Sequence, residues 1–427
     1  MSSSRIVVLL CLAAGLGGAL WLGQPHPAGA QAPGSPATIN AADHPDLQAA
    51  FDALPEEGGV VRIPPGNYDI TEPLVLSKPE TRVEGSGAAT HIRNRNEEGE
   101  PALIVRHPKR ESAESREDRR ESFLWRVQLA DFRISGNPKS GHGIHAEGIN
   151  EIYIHGLSID RNGGHGLNCI DCYEDPRIND SIFTYNAKAG VNLEGGHDIV
   201  VNGNQFEENQ DALRCIDGFN LCMNANNIDD HLRHGVVIEN TYGSVLSGNM
   251  IEECQGTAIV LDRDVYGVTI GSNVIAHNQG GGVDLRDAWG SSVSANTFTI
   301  MPNPAVRVGP KSGRISITGN AFSNSHNGPG TRREEDYEAK WPQKVYASGI
   351  ELEGTSDIAI TGNLFSGLIE EAVRTKGRCV RIALAGNVAA DLGRKRREKL
   401  PAFDMSGAEE VTAGLNAIER GFEGSLK

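Results

Sequence analysis

The chain is 427 residues long and carries 51 glycines and 20 prolines, but only 38% of it is hydrophobic and 5% aromatic. That balance excludes a membrane transporter and argues against a helical bundle, because each glycine in a helix interior costs about 1 kcal/mol. With 22% charged residues, a formal charge of −16 and a broad spread of Val, Ile and Leu, the chain is too ordinary to be disordered, which leaves a large, turn-rich globular protein.

Residues 1–30 read as a secretory signal, with Arg5 in a basic start, an apolar stretch from Ile6 to Leu22, and Ala28-Gly29-Ala30 as the cleavage site. A retained anchor is the lesser alternative, since the apolar stretch falls short of a comfortable bilayer span. The expected location is therefore secreted, periplasmic or cell-surface, with no membrane attachment after cleavage. Removal of the segment takes away Arg5 and no acid, so −16 becomes −17. It also removes Cys11 and leaves Cys169, Cys172, Cys215, Cys222, Cys254 and Cys379, for which disulfides or buried thiols are expected. Zinc is disfavoured, because the Cys215 to Cys222 spacing is wrong and no His completes a ligand set.

Next in order, DLQAAFDAL from Asp46 predicts a short helix, followed by the Gly58–Tyr68 segment GGVVRIPPGNY and the stretch LVLSKPETRVEGSG. The mixed-charge run 106–122 reads as a solvated loop. Beyond it the chain becomes periodic. Asn204, Asn226, Asn249, Asn273, Asn296, Asn320, Asn363 and Asn387 recur at separations of 22, 23, 24, 23, 24, 43 and 24 residues, mostly after a glycine or another small residue. In step with them runs a second element, as in Gly190-Val-Asn-Leu-Glu194, Ala258-Ile-Val-Leu-Asp262 and Gly349-Ile-Glu-Leu-Glu353. Its alternation marks a half-buried strand, and the repeat is too short to hold a crossover helix. Each repeat is thus one coil of short strands, stacked in parallel on its neighbours at about 4.8 Å, with the asparagines forming a ladder at one turn. An insertion at 325–346 explains the long interval. After it, the basic run from residue 393 and AEEVTAGLNAIERGF predict a tail ending in an amphipathic helix over 393–427.

These features resemble the pectate-lyase-like superfamily of right-handed parallel β-helices. The resemblance implies an all-β solenoid of about a dozen coils over residues 31–392, closed at its start by the helix from Asp46. It is specific for fold and weak for reaction.

Stacked coils place the outward residues of the regular strand in two columns. One runs His145, Asn168, Asn192, Arg214, Val237, Val260, Asp284, Arg307, Glu351, Arg374; the other includes Glu147, Glu194, Glu239, Asp262, Arg286, Glu353 and Lys376. A solvated face is also polar, so the argument rests on convergence: adjacent coils bring His234, Asp262, Arg263, Asp264, Asp284, Arg286, Asp287 and Arg307 toward one patch. Abstracting a proton beside a uronate carboxylate needs a neutralising cation, a base and an acid. The candidate catalytic residues are accordingly His234 as base, with Asp262, Asp284 and Arg286. Arg214, Glu239, Arg263, Arg307, Glu351, Arg374 and Trp341 are the candidate substrate contacts. Asp262, Asp264 and Asp287 form a candidate calcium set, the one cofactor suggested.

Comparison within the superfamily separates the reactions. Polygalacturonases carry Asn-x-Asp, paired Asp, Gly-His-Gly and Arg-x-Lys in that order, whereas here Gly141-His142-Gly143 and Gly164-His165-Gly166 precede Asp229-Asp230. Mannuronan epimerases share Arg233-His234-Gly235, but Asp175-Pro176 lacks the following His. Segment 249–254 and IPPGNYDI look like inulin fructotransferases, with Glu253 matching their acidic residue and Tyr242 standing where an Asp is expected. The leading expectation is a secreted lyase or epimerase acting on an anionic polysaccharide. A glycoside hydrolase or fructotransferase-like enzyme is the first alternative, and a non-catalytic polysaccharide-binding protein the second. Nucleic acid is not an expected partner.

Overall fold

The structure is a computed structural model, and it describes residues 36–324, 347–394 and 400–422. Its strands form three long sheets of 17, 14 and 13 strands, in which every coil contributes to each sheet in turn. Neighbouring strands pair in parallel, as in Val236–Glu239 on Leu213–Phe219 and Thr257–Asp262 on Val236–Glu239. The chain is therefore a parallel β-solenoid, and its hydrophobic core is the column of inward side chains running through the stack.

Two regularities in the sequence build each coil. Inward positions are aliphatic or aromatic, and phenylalanines stack from coil to coil, with ring centroids 4.9 Å apart for Phe298 and Phe322 and 4.8 Å for Phe322 and Phe365. At one turn the residue before each ladder asparagine takes a left-handed backbone, from Ala225 at φ +54° to Gly386 at φ +67°. Glycine recurs there because it alone escapes the clash between Cβ and carbonyl oxygen, a cost that Ala225, Ser272, Ala295 and Leu415 bear. The turn aims the asparagine inward. Asn273 is typical: its Oδ1 accepts from the backbone N and the Nδ2 of Asn249, both at 2.9 Å, while its Nδ2 donates to Leu246 O at 3.1 Å and Asn296 Oδ1 at 3.0 Å. A second buried ladder, Asn162, Asn186, Asn209 and His231, follows the 14-stranded sheet.

The expected helix is Leu47–Asp52, N-capped by Asp46, whose Oδ1 accepts from Ala49 N at 2.8 Å; Leu47, Ala50 and Phe51 are buried. Two expectations change. The terminal segment is not helical: Ala408–Gly414 and Ala417–Ile418 are strands that pair with Cys379–Ala385 and Val388–Ala390, so the solenoid runs past residue 392. The strand Cys379–Ala385 offers its backbone edge to these residues, and Asn416 accepts from Asn387 Nδ2 at 3.0 Å, extending the ladder by one rung. The run 106–122 is not merely solvated either. It contains the helix Arg116–Glu121, and Arg110 is buried, paired with Asp171 and with Glu147 at 3.4 Å. The six described cysteines are free thiols and five of them are buried, the second of the two alternatives expected for them. The insertion 325–346, Trp341 within it, and residues 1–30 lie outside the described residues.

Candidate functional site: a charge-compensated groove

The 13-stranded sheet carries the candidate residues. Its register aligns Arg214, Val237, Val260, Asp284, Arg307, Glu351 and Arg374 as one outward column, and Glu239 with Asp262 as part of the next. Arg214, Arg233, His234, Glu239, Asp262 and Arg286 line one cavity of about 110 Å³. Asp284 joins them through Arg286 Nε at 2.8 Å, and Arg263 through Glu239 at 2.8 Å.

Within the cavity the arginines are already matched to carboxylates. Glu239 receives Arg214 at 3.3 Å and Arg263 at 2.8 Å; Arg286 reaches Asp284 at 2.8 Å and Asp262 at 3.8 Å. Arg233 is paired with Asp211, a fully buried residue that the sequence reading missed. Asp211 also accepts the backbone N–H of His234 at 3.0 Å, so one carboxylate sets both the arginine and the histidine. It lies in the turn preceding a strand, where nothing in the strand alternation distinguishes an inward acid from a solvated one.

His234 is placed as expected, but its chemistry differs from that of a free base. Its Nδ1 accepts the Thr257 backbone N–H at 3.0 Å. A neutral ring that accepts at Nδ1 carries its proton on Nε2, so the remaining edge donates a hydrogen bond rather than taking a proton. Burial pushes the His234 pKa down, partly offset by the nearby Asp211 carboxylate. His142 and His165 repeat the arrangement on earlier coils: His142 Nδ1 accepts from His165 N at 2.9 Å and His165 Nδ1 from Ala189 N at 3.1 Å, and burial lowers the pKa of His142 to about 4 and that of His165 to about 3.

Further along the same column Arg307, Glu351 and Arg374 form a separate knot with Lys376. The Glu351 side chain is 3% exposed and receives Arg307 at 3.1 Å, Arg374 at 2.6 Å and Lys376 at 2.8 Å. Burial raises its pKa, but the bonds from Lys376 and Arg374 outweigh this and leave it below the ordinary value. A cavity of about 250 Å³ opens beside it between Pro302, Pro304, Ile369 and Glu370.

Asp262, Asp264 and Asp287 do not gather as the calcium set requires. Among the described residues, the clusters of three whose ligand atoms lie within 4.8 Å of one another are Glu174, His197 and Asp198, and Asp229, Asp230 and Glu253. The second group, at the turn after the 14-stranded sheet, includes both the Asp pair and the Glu253 noted in the sequence. Burial and the neighbouring Asp230, Glu252 and Glu253 push the Asp229 pKa up to about 6, while Glu253 meets His277 Nδ1 at 3.1 Å. A larger cavity of about 480 Å³ lies away from both sites, on the 17-stranded sheet between Glu80, Arg126 and Glu151, where Arg126 pairs with both acids.

No curated protein sequence matches the chain. Among solved structures, it is similar to the catalytic unit of a thermostable GH87 alpha-1,3-glucanase from Streptomyces thermodiastaticus, at 17% identity and TM-score 0.55, over 93% of this chain and 70% of that one. It is also similar to a DFA-IIIase from Arthrobacter chlorophenolicus A6, at 12% identity and TM-score 0.54, over 76% of this chain and 94% of that one. Both likenesses concern the fold. The family described as "Right handed beta helix region" matches residues 142–298 and 234–391, more than half of the 427 residues, and the chain belongs to that family.

Proposed function

We propose that the chain is a carbohydrate-active enzyme that cleaves or transfers glycosyl units of a neutral glycan lying in the groove of the 13-stranded sheet. The observation that carries this reading is the charge compensation of the groove. A uronate would have to displace Glu239 or Asp284 from arginines that already hold them at 2.8–3.3 Å. A neutral sugar asks for no such exchange and finds carboxylates that accept its hydroxyl hydrogens, with the His234 Nε2–H as a donor. Glu239 and Asp262 are register partners on adjacent coils. Their side chains therefore stand on neighbouring rungs of one column, with backbones about 4.8 Å apart, and offer the pair of carboxylates that glycoside cleavage uses. The similarity to a glucanase supports a glycan substrate at the level of fold, and the secreted location expected from residues 1–30 accords with a polymeric one. The uronan lyase or epimerase expected from the arginine column is disfavoured by the same pairing, as is His234 as its base.

A specific observation favours a second placement of the same chemistry. Asp229, with a pKa raised to about 6 by burial and by the neighbouring acids, suits the role of a general acid. Incubation with a panel of neutral glucans and fructans and of uronans, followed by reducing-end and unsaturated-product assays, tests the proposal. New reducing ends or transfer products from a neutral glycan, lost in Asp262→Asn and Glu239→Gln, are expected. Loss in Asp229→Asn and Glu253→Gln instead would move the site to the second cluster. Unsaturated products from a uronan would overturn the proposal.

A further inference from the structure

The chain has only eight tyrosines and four tryptophans, yet four of these twelve stand in one row. Tyr173, His197, Phe219, Tyr242, Tyr266 and Trp289 follow one another at 24, 22, 23, 24 and 23 residues, one per coil. They occupy the turn between the 13-stranded and 17-stranded sheets. Parallel pairing links His197 to Phe219, Phe219 to Tyr242, Tyr242 to Tyr266 and Tyr266 to Trp289, so the row is a continuous register and not a chance cluster. Neighbouring rings approach to 5.6 Å between Tyr173 and His197 and 4.8 Å between Phe219 and Tyr242.

These rings are not core. Tyr242 is 46% and Tyr266 60% exposed. Room is made for them on the outside: a Cβ at Gly290 would come within 3.1 Å of the Tyr266 ring, and one at Gly313 within 2.8 Å of the Trp289 ring. Phe219, Tyr242, Tyr266 and Trp289 wall an open cavity of about 320 Å³ whose remaining lining is Asn240, Thr241 and Asp264. That is the size of a small ligand site. It adjoins the groove directly, since Asn240 follows Glu239 and Asp264 lies two residues beyond Asp262.

We propose that this row is a binding strip for a neutral polysaccharide, running along the solenoid axis beside the groove. Five coil steps span about 24 Å, so a linear ligand rather than a compact one fits the row. A sugar ring combines an apolar C–H face, which packs on aromatic rings, with a hydroxyl edge. Asn240 and Asp264 meet that edge as an amide and an acceptor. The acids beside the rings, Asp198, Asp217 and Asp264, repel a polyanion, although Arg314 lies over the Trp289 ring at 5.9 Å from its centroid. Exposed aromatic surface of this extent marks an interaction site, and the interleaved polar groups separate it from a dry protein-docking face. The inference rests on the reading of the groove as a neutral-glycan site.

Native gel electrophoresis through inulin, soluble starch or polygalacturonate, with turnover of the same polymers measured in parallel, tests it. Retardation by a neutral polymer is expected, weakened at least tenfold in Tyr266→Ala and in Trp289→Ala. Leu364→Ala, at an exposed apolar position on the 14-stranded sheet, is expected to bind as the unsubstituted protein does. Retardation by polygalacturonate only, by no neutral polymer, or equally in the ring variants would overturn the strip. So would ring-dependent self-association without glycan retardation, seen by sedimentation. Ring-dependent binding without turnover of any glycan would leave the strip standing and sink the catalytic reading, whereas turnover with ring-independent binding would do the reverse.

Discussion

Asp211 is the residue on which the geometry of the groove makes its sharpest demand. It is fully buried and accepts three hydrogen bonds: two from the Arg233 guanidinium, including Nε at 2.8 Å, and one from the His234 backbone N–H at 3.0 Å. Arg233 is about half exposed, so water screens its pair with Asp211 to roughly 1 kcal/mol. The bond to His234 N–H is charge-assisted and buried on its acceptor side, and its loss costs about 1.5–3 kcal/mol. Asp211→Ala removes all three bonds, for an expected loss of about 2.5–4 kcal/mol. Asp211→Asn keeps an acceptor for the His234 N–H and sacrifices mainly the ion pair, for about 1–2 kcal/mol. Urea unfolding of the two variants gives these values. Steady-state turnover of the neutral glycan then separates stability from positioning: a drop of tenfold or more is expected for alanine, and a much smaller one for asparagine. Equal stability losses and equal turnover in the two variants would refute the reasoning, because the His234 N–H would then not depend on an acceptor at position 211.

Two further predictions concern polar side chains away from the groove. Asn273→Ala deletes four side-chain hydrogen bonds in the middle of the ladder and leaves Asn249 N–H without its acceptor, so a loss of about 3–4 kcal/mol is expected. Asn416→Ala, at the partly exposed last rung, should cost about 1 kcal/mol, and amide exchange at Asn249 should accelerate only in the former. The Asp229 carboxyl, raised to about 6 from an ordinary 3.8, makes the folded state bind a proton that the unfolded state has released; stability therefore falls as pH rises from about 4 to 6 and stays lower above that. Asp229→Asn should accordingly gain about 1 kcal/mol at pH 7.5, after allowance for solvent screening, with a smaller gain at pH 4.5. Thermal unfolding at the two pH values checks this, and an equal gain at both would contradict it.

Much of the architecture was legible before any coordinate. The asparagine interval is the length of a coil, and the alternation of Val-Ile-Val with polar residues assigns inside and outside. Column membership followed from counting, and the register aligns Arg214 to Arg374 as the spacing predicts. The terminal segment was misread because AEEVTAGLNAI satisfies both a helical and an alternating pattern. The neighbouring strand's backbone decided between them. The row from Tyr173 to Trp289 also sat at the coil period, but aromatic residues spread one per repeat look unremarkable until the coils are stacked.

Sequence alone determined that the chain winds into stacked parallel coils and which side chains share a column, because both depend on local alternation and a fixed repeat length. Only the tertiary structure decided what those columns mean chemically. Whether Arg286 is a free cation or is held by Asp284, and whether His234 offers a lone pair or a proton, depends on a partner one coil away or two residues along, reached through space. Charges that read as a cationic face in one dimension cancel in three, since Coulomb attraction acts over the few ångströms between coils and not over the 23 or so residues between them.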